Sequence, residues 1–342
     1  MFTADAMRSF IVVGVGALVL LAYRWKRIKE VPMVICLIIL CLADMWGVNK
    51  RYLNDGMFSA PSARMQELQQ TEADEMILAA NQGAYNRVLN LTVSTFNDNT
   101  TSYYHKSIGG YHPAKLRRYQ ELIEEHIHQE MGRINRAIVD TRGELQECNG
   151  DSLFPVLNML NTAWVILGTK DGHKMAVPNP WAAGNAWYVP EVRYVQDADA
   201  EIASLREINP KHTAVADECF QDILGSSSEQ DSTSFVVLKE YEANRLAYEA
   251  TSTKGGVVVF SDIYYPGWSC TIDGKETPIA RVNYVLRAIQ VPAGKHSIVM
   301  SFYPKSVQVT ETIAYIALAL LVVLTLIYGL VSLRRSRRGQ SA

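Results

Sequence analysis

At 342 residues, with 48% hydrophobic and 20% charged side chains, the chain carries enough material for one large or two medium domains around a sizeable core. A formal net charge of -2 provides no basic field for phosphate backbones, so no nucleic acid is expected among its partners. The five cysteines form no CxxC pair and show no metal-ligand spacing. Cys36 and Cys41 fall in an apolar run, and Cys148, Cys219 and Cys270 are expected to be buried free thiols rather than a disulfide framework.

The first apolar block, Ser9 to Tyr23, is uncharged and bounded by Arg8 and Arg24. It spans about 23 Å as a helix, short of a bilayer core of about 30 Å, unless the arginines snorkel or the helix begins near Thr3. A secretory signal peptide is the rival reading, but the basic cluster follows the block and no small-residue cleavage site is present. The second block, Val31 to Val48, opens on Pro32 and ends near Trp46. Asp44 within it is either an interfacial residue or a proton or substrate site. A third block covers Thr312 to Leu333.

Basic clusters at Arg24-Trp25-Lys26-Arg27-Ile28-Lys29 and at Arg334, Arg335, Arg337 and Arg338 are expected on the cytoplasmic side, outweighing Lys50 and Arg51. Three crossings then leave the middle of the chain outside the cytoplasm. The expected architecture is a multi-pass membrane protein with an α+β ectodomain, in a bacterial cytoplasmic membrane, its carboxy terminus cytoplasmic. Two transmembrane helices occupy residues 1–48 (about 9–23 and 31–48), a mixed α/β subdomain 49–224, a linker 225–232 and a membrane-proximal β-sandwich 233–305. A transmembrane helix at 312–333 and a basic tail at 334–342 complete it.

Within the α+β region, Thr71 followed by Asp74 predicts a capped helix over Thr71 to Asn81, and Arg87 to Val93 reads as a strand. Leu116, Tyr119, Leu122, Ile123, Ile127, Met131, Ile134 and Ile138 recur near a 3.6 period, predicting one long helix from Pro113 to Ile138. On it, His126 and His128 point about 200° apart, which rules out a shared metal site and makes both solvated face residues. Leu153 to Leu160 reads as a short helix feeding a strand at Trp164 to Leu167, and Asp199 to Ile208 as a helix with Asp199 as cap. After the polar segment from Gly225 to Ser232 the pattern predicts strands alone: Phe235 to Tyr241, Arg245 to Ala250, Gly256 to Ile263, Trp268 to Ile272, Lys275 to Ile279, Tyr284 to Val291 and His296 to Phe302. Asp273-Gly274 predicts a two-residue hairpin turn.

P-loop, GxSxG, HExxH and strand-coupled GxGxxG signatures are absent. Two loops carry the candidate chemistry. The run from Asn97 through Asp98, His105, Lys106 and Tyr111 to His112-Pro113 is dense in hydrogen-bonding groups and ends at a helix start suited to a phosphate or sugar, or else is an ordinary surface loop. In Asp262-Ile263-Tyr264-Tyr265-Pro266-Gly267-Trp268, aromatic faces beside an acid suit a sugar ring, with Arg281 projecting towards the same edge. A Pro-Gly turn with Trp268 filling the sandwich core explains the same residues.

Several blocks make the chain similar to one known family. These are Asp44-Met45-Trp46 with Lys50 to Asp55, Val93-Ser94-Thr95-Phe96-Asn97-Asp98, Lys106 to Leu116 (KSIGGYHPAKL), Gly184-Asn185-Ala186-Trp187, Tyr264 to Trp268, and Asn283 to Ala288. The chain resembles the carboxy-terminal part of the YfhO family of bacterial membrane proteins, whose longer members resemble C-type glycosyltransferases that use polyprenyl-phosphate-linked sugars. The resemblance implies that the catalytic acid lies in a loop preceding the residues present here, so no residue of this chain inherits that role. The chain is then expected to be a truncated or split product, an accessory half working with a polytopic amino-terminal half, a lipid-linked sugar and an envelope glycan acceptor. No cofactor is expected, a divalent metal entering only with that other half. A non-catalytic structural or carbohydrate-binding ectodomain is the alternative.

Overall fold

Apolar runs of this length have one economical solution, a helix that satisfies its own backbone. Among the described residues, three helices are long and apolar enough to cross a membrane. The computed structural model describes residues 2–58, 68–81, 85–226 and 233–339. It divides into two units, Met1–Gln69 and Gln70–Ala342.

In the first unit, the helix Phe2–Arg24 begins seven residues before the uncharged block, and its 23 residues reach about 34 Å, enough for a bilayer core. The extension carries Asp5 and Arg8 into the helix, and the second helix, Glu30–Tyr52, answers both charges. Arg8 Nε lies 3.1 Å from Asp44, and Arg51 pairs with Asp5. Asp44 is therefore half of an interhelical ion pair, the arrangement that makes an acid tolerable in such a helix.

In the second unit, the helix Glu72–Asn81 carries the expected capping box: the Thr71 N–H donates to Asp74 at 2.8 Å, and the Asp74 N–H to Thr71 Oγ at 3.4 Å. It packs on a four-stranded sheet of β1 (Arg87–Asn90), β2 (Lys106–Ser107), β3 (Thr162–Gly168) and β4 (Lys174–Pro178), in the order β2-β1-β3-β4. The strand expected to run to Val93 stops at Asn90, whose side-chain oxygen accepts the Thr92 N–H at 2.9 Å and turns the backbone out of the sheet. A parallel pair, β5 (Ala186–Val189) apart, is formed by β6 (Glu191–Val195) and β7 (Thr213–Asp217).

The long helix predicted from Pro113 is three segments: Arg117–Leu122, a π-helical turn Ile123–Ile127 and His128–Asp140. The wide turn carries His126 inward, where it is 1% exposed and bonds the Ile202 carbonyl at 2.8 Å. The expectation of a solvated His126 is thus corrected; His128 is exposed, with its ring edge on Phe96. Glu130, also buried, accepts the N–H groups of Val156 (3.1 Å) and Leu157 (2.8 Å) at the start of the helix Pro155–Met159. The cap of the helix Ala198–Ser204 is Asp197, not Asp199: Asp197 is the extended residue and accepts the Ala200 N–H.

The carboxy-terminal strands are β8 (Phe235–Glu242), β9 (Arg245–Ser252), β10 (Gly256–Ile263), β11 (Trp268–Ile272), β12 (Lys275–Thr277), β13 (Ala280–Val282), β14 (Leu286–Val291) and β15 (Gly294–Phe302). They form two antiparallel sheets, β12-β11-β15-β9-β8 and β13-β14-β10-β5. Alternating residues of β9 (Leu246, Tyr248, Ala250) meet Val258 and Phe260 of β10 and Ile289 and Val291 of β14 in one apolar cluster, so the two sheets share a core. Val257 and Val259, on the other face of β10, enter the larger core with Leu157 and Val165, which is why this strand is apolar throughout. Strand β5 joins from before the polar segment 225–232, of which residues 227–232 lie outside the described residues.

Asp273 (φ 49) and Gly274 (φ 80) form the expected tight turn. A second one, unanticipated, sits at Asn283 (φ 49) and Tyr284 (φ 70), so residues 280–282 are a strand and β14 starts at Leu286. Trp268, expected to fill the core, is half-buried at its edge under the Arg287 guanidinium, 3.9 Å from the ring centroid. All five cysteines are free; Cys270 is buried, Cys148 half-buried and Cys219 exposed. The last helix, Lys305–Gly339, begins two residues after Tyr303 and extends beyond the expected 312–333; residues 340–342 lie outside the described residues.

Candidate functional site

The helix that begins at Arg117, four residues after the predicted start at Pro113, and the turn between β10 and β11, which the sequence singled out, form opposite walls of one cleft. Leu116, Arg118 and Tyr119 face Tyr264, Tyr265 and Pro266 across a volume of about 290 Å³, with Arg281 and Tyr284 also in its lining. Tyr284 is held there by its left-handed backbone. Its N–H donates to Glu201 Oε1 at 2.9 Å and its hydroxyl to Glu121, which fixes a strained residue so that its ring faces the cleft.

Beneath the cleft lies Glu201, fully buried. Arg281 Nη2 donates to it at 3.2 Å and Arg118 Nη1 stands 3.6 Å away. Burial raises the Glu201 carboxyl above the usual carboxylate range, with Arg281 and the Tyr284 N–H pulling the other way. Both guanidiniums lie over aromatic rings, Arg118 over Tyr284 at 4.5 Å and Arg281 over Phe220 at 5.3 Å. Glu121 is held below its usual range by hydrogen bonds from Tyr284 and Arg117, while burial and Glu121 push the Tyr284 phenol up to about 12. Its proton therefore stays in place at neutral pH.

Asp262 points away from the cleft into a separate cationic cluster. Arg87 donates to it at 2.9 Å and also to the carbonyls of Leu160 (2.8 Å) and Ser261 (2.9 Å), while the Tyr248 hydroxyl donates to it at 3.3 Å. The Lys106 ammonium lies 2.9 Å from the Tyr241 ring centroid and 4.2 Å from that of Tyr85, and burial pushes its pKa down to about 8. The fold thus brings Lys106 and Asp262 together from the two loops, as interior groups joining β1 and β2 to β8 and β10.

The other residues of the first loop spread out. Asp98 accepts the Thr100 N–H at 2.8 Å, and His105 is buried with Nε2 2.8 Å from Asp74. Tyr111 is exposed, its N–H on the Asn99 side chain, and His112 accepts the Ala114 N–H at 3.1 Å. Asn97 borders a second recess of about 400 Å³ with Ser94, Lys115, Gln120 and His128. Gly109 is forced by packing, since a Cβ there would stand 1.9 Å from the Thr95 carbonyl oxygen. Sequence reading found Tyr264, Tyr265 and Arg281 of the cleft and missed Arg118, Glu201 and Tyr284. The consecutive Arg117-Arg118 at the helix opening was the available signal for the first of these. Among the described residues, no three histidine, cysteine, aspartate or glutamate side chains converge as metal donors.

Residues 220–314 match the model of a family described as bacterial membrane protein YfhO. The match supports the resemblance to that family and covers Tyr264, Tyr265, Arg281 and Tyr284 of the cleft. No curated protein and no solved structure matches the chain. With its three apolar helices, the chain is placed in a membrane.

Proposed function

We propose that this chain is a membrane-anchored, sandwich-bearing ectodomain that holds an envelope glycan acceptor for a glycosyltransferase using polyprenyl-phosphate-linked sugar, the cleft between Arg118 and Tyr265 being the holding site. The observation that carries this reading is the cleft's composition. Four tyrosines and three arginines line a recess of about 290 Å³. Rings with polar edges suit the faces and hydroxyls of a sugar, and guanidiniums suit an acidic substituent on it. Glu201, the buried carboxylate at its base, is tied to Arg281 and to a backbone N–H, a positioning arrangement rather than a poised acid or base. Basic residues between the first two helices and after the third favour an extracytoplasmic location for the cleft.

Truncating Tyr265, 46% exposed, is expected to weaken binding of oligosaccharides released from bacterial envelope glycans at least tenfold to the full chain in detergent. Truncating the comparably exposed Met175 should leave binding unchanged. Equal binding by both variants would remove the cleft as the glycan site.

A further inference from the structure

Arg118 and Arg281 keep more donors than the protein uses. Arg118 Nη1 and Arg281 Nε are buried and make no hydrogen bond among the described residues. Buried polar groups without partners are rare, because each forfeits its hydration without return, and two from facing arginines at one cleft mark a place where acceptor oxygens are missing. Glu201 does not supply them all: it binds Arg281 through Nη2 and leaves Arg118 at 3.6 Å. Each guanidinium rests on an aromatic ring that fixes its plane. Two planar forks with spare donors match the several oxygens of a phosphate better than a single carboxylate.

The position of the cleft says where that phosphate comes from. Its Tyr264–Pro266 wall runs into Gly267, whose carbonyl accepts the Tyr303 N–H at 3.1 Å. Gly267 has φ 107 and packs so closely on Pro304 and Phe302 that a Cβ would lie 3.1 Å from Pro304. The Tyr265 ring lies 6.0 Å from that of Phe302. Two residues beyond Tyr303, at most about 7 Å of chain, the apolar helix Lys305–Gly339 begins. From Lys305 to the apolar run at Thr312 is about one further nanometre of helix, so the cleft stands immediately above a headgroup layer.

We propose that Arg118 and Arg281 bind the phosphate of a lipid whose chains remain in the bilayer, so that the ligand enters the cleft from the membrane. This deepens the proposed function, resting on it for the membrane-crossing of the last helix; the phosphate site itself rests on the arginine geometry.

The test uses the full chain in detergent, with retained ligands read by native mass spectrometry and hydrogen exchange followed over residues 116–119 and 281–285. The probes are dioleoyl phosphatidic acid, dioleoyl phosphatidylcholine and inorganic phosphate. Phosphatidic acid is expected to be retained at least tenfold better than phosphatidylcholine, whose phosphate is covered by its own cation, and to slow exchange in both segments. Arg118→Gln should reduce that retention at least tenfold. Arg281→Lys, which keeps a charge near Glu201 and guards against misfolding, should reduce it severalfold. Arg136→Gln, at an exposed side chain outside the cleft lining, should change nothing. Retention of phosphatidic acid unaffected by the arginine variants would overturn the site. Inorganic phosphate protecting both segments as well as the lipid at equal concentration would overturn the membrane source. If either happens while Tyr265 still governs binding of a phosphate-free oligosaccharide, the inference fails and the proposed function stands.

Discussion

Replacing Asp262 by alanine is expected to lower the stability of the unit Gln70–Ala342 by about 3–5 kcal/mol, the cost of stranding a partly buried cation. Asp262 accepts from Arg87 and Tyr248, and its charge also acts favourably on Lys106 and on the buried Arg287. Those three cations have no other carboxylate bonded to them among the described residues, and Arg287 is bound through the Ile263 carbonyl. Removing the acid leaves mutual repulsion in a low-dielectric interior, with Lys106 the first to lose its proton. Urea unfolding followed by the near-ultraviolet signal of the stacked Tyr85 and Tyr241 rings, 4.0 Å apart, reads the loss directly. An unchanged midpoint would show that Asp262 is dispensable to the fold and free for ligand.

Glu130 provides a second large effect, and one with a sign in pH. Its carboxyl joins the helix His128–Asp140 to the start of the helix Pro155–Met159 by accepting two backbone N–H groups, and burial raises its pKa to about 7 even so. Because the folded protein holds this proton more tightly than the unfolded chain, stability attributable to Glu130 is greatest in acid. It falls as pH rises from about 4.5 towards 7, by about 3 kcal/mol in all, and is flat above. Glu130→Gln, which cannot ionise, should flatten that slope. Glu130→Ala orphans both N–H groups at any pH, and its cost should be larger in acid than above pH 7 by about 3 kcal/mol, the pH-dependent part of the Glu130 contribution. Identical pH profiles for wild type and the glutamine variant would show that Glu130 does not titrate in this range.

Both residues show which parts of the molecule were legible in the sequence. Apolar run length disclosed three helices, since a bilayer-sized helix needs nothing beyond its own residues. Asp273-Gly274 disclosed its hairpin, and Thr71 with Asp74 its cap, because those signals are complete within four residues. The π-turn at Ile123–Ile127 was hidden, since the apolar spacing of a helix with one widened turn still reads as a helix, and His126 was therefore placed on the wrong face. Strand β5 was hidden because its partner, β10, lies some 70 residues later and no local pattern announces the pairing. The cleft suffered in the same way: Arg118, Glu201 and Arg281 are about 80 residues apart from one to the next. Tyr264, Tyr265 and Arg281 were visible as unusual side chains in a turn and its neighbour. Their anionic counterpart and the second arginine were not, because an ordinary helix face conceals them.

The central proposal is that a glycoconjugate reaching it from the membrane occupies the cleft at Tyr265. Photo-cross-linking from benzoylphenylalanine placed at position 265, in cells, examines this with the chain in its own membrane. The expected product is an adduct that partitions with lipids and carries both sugar and phosphate, absent when the same group stands at the exposed position 175. An adduct bearing neither sugar nor phosphate, or the same products from both positions, would contradict the account.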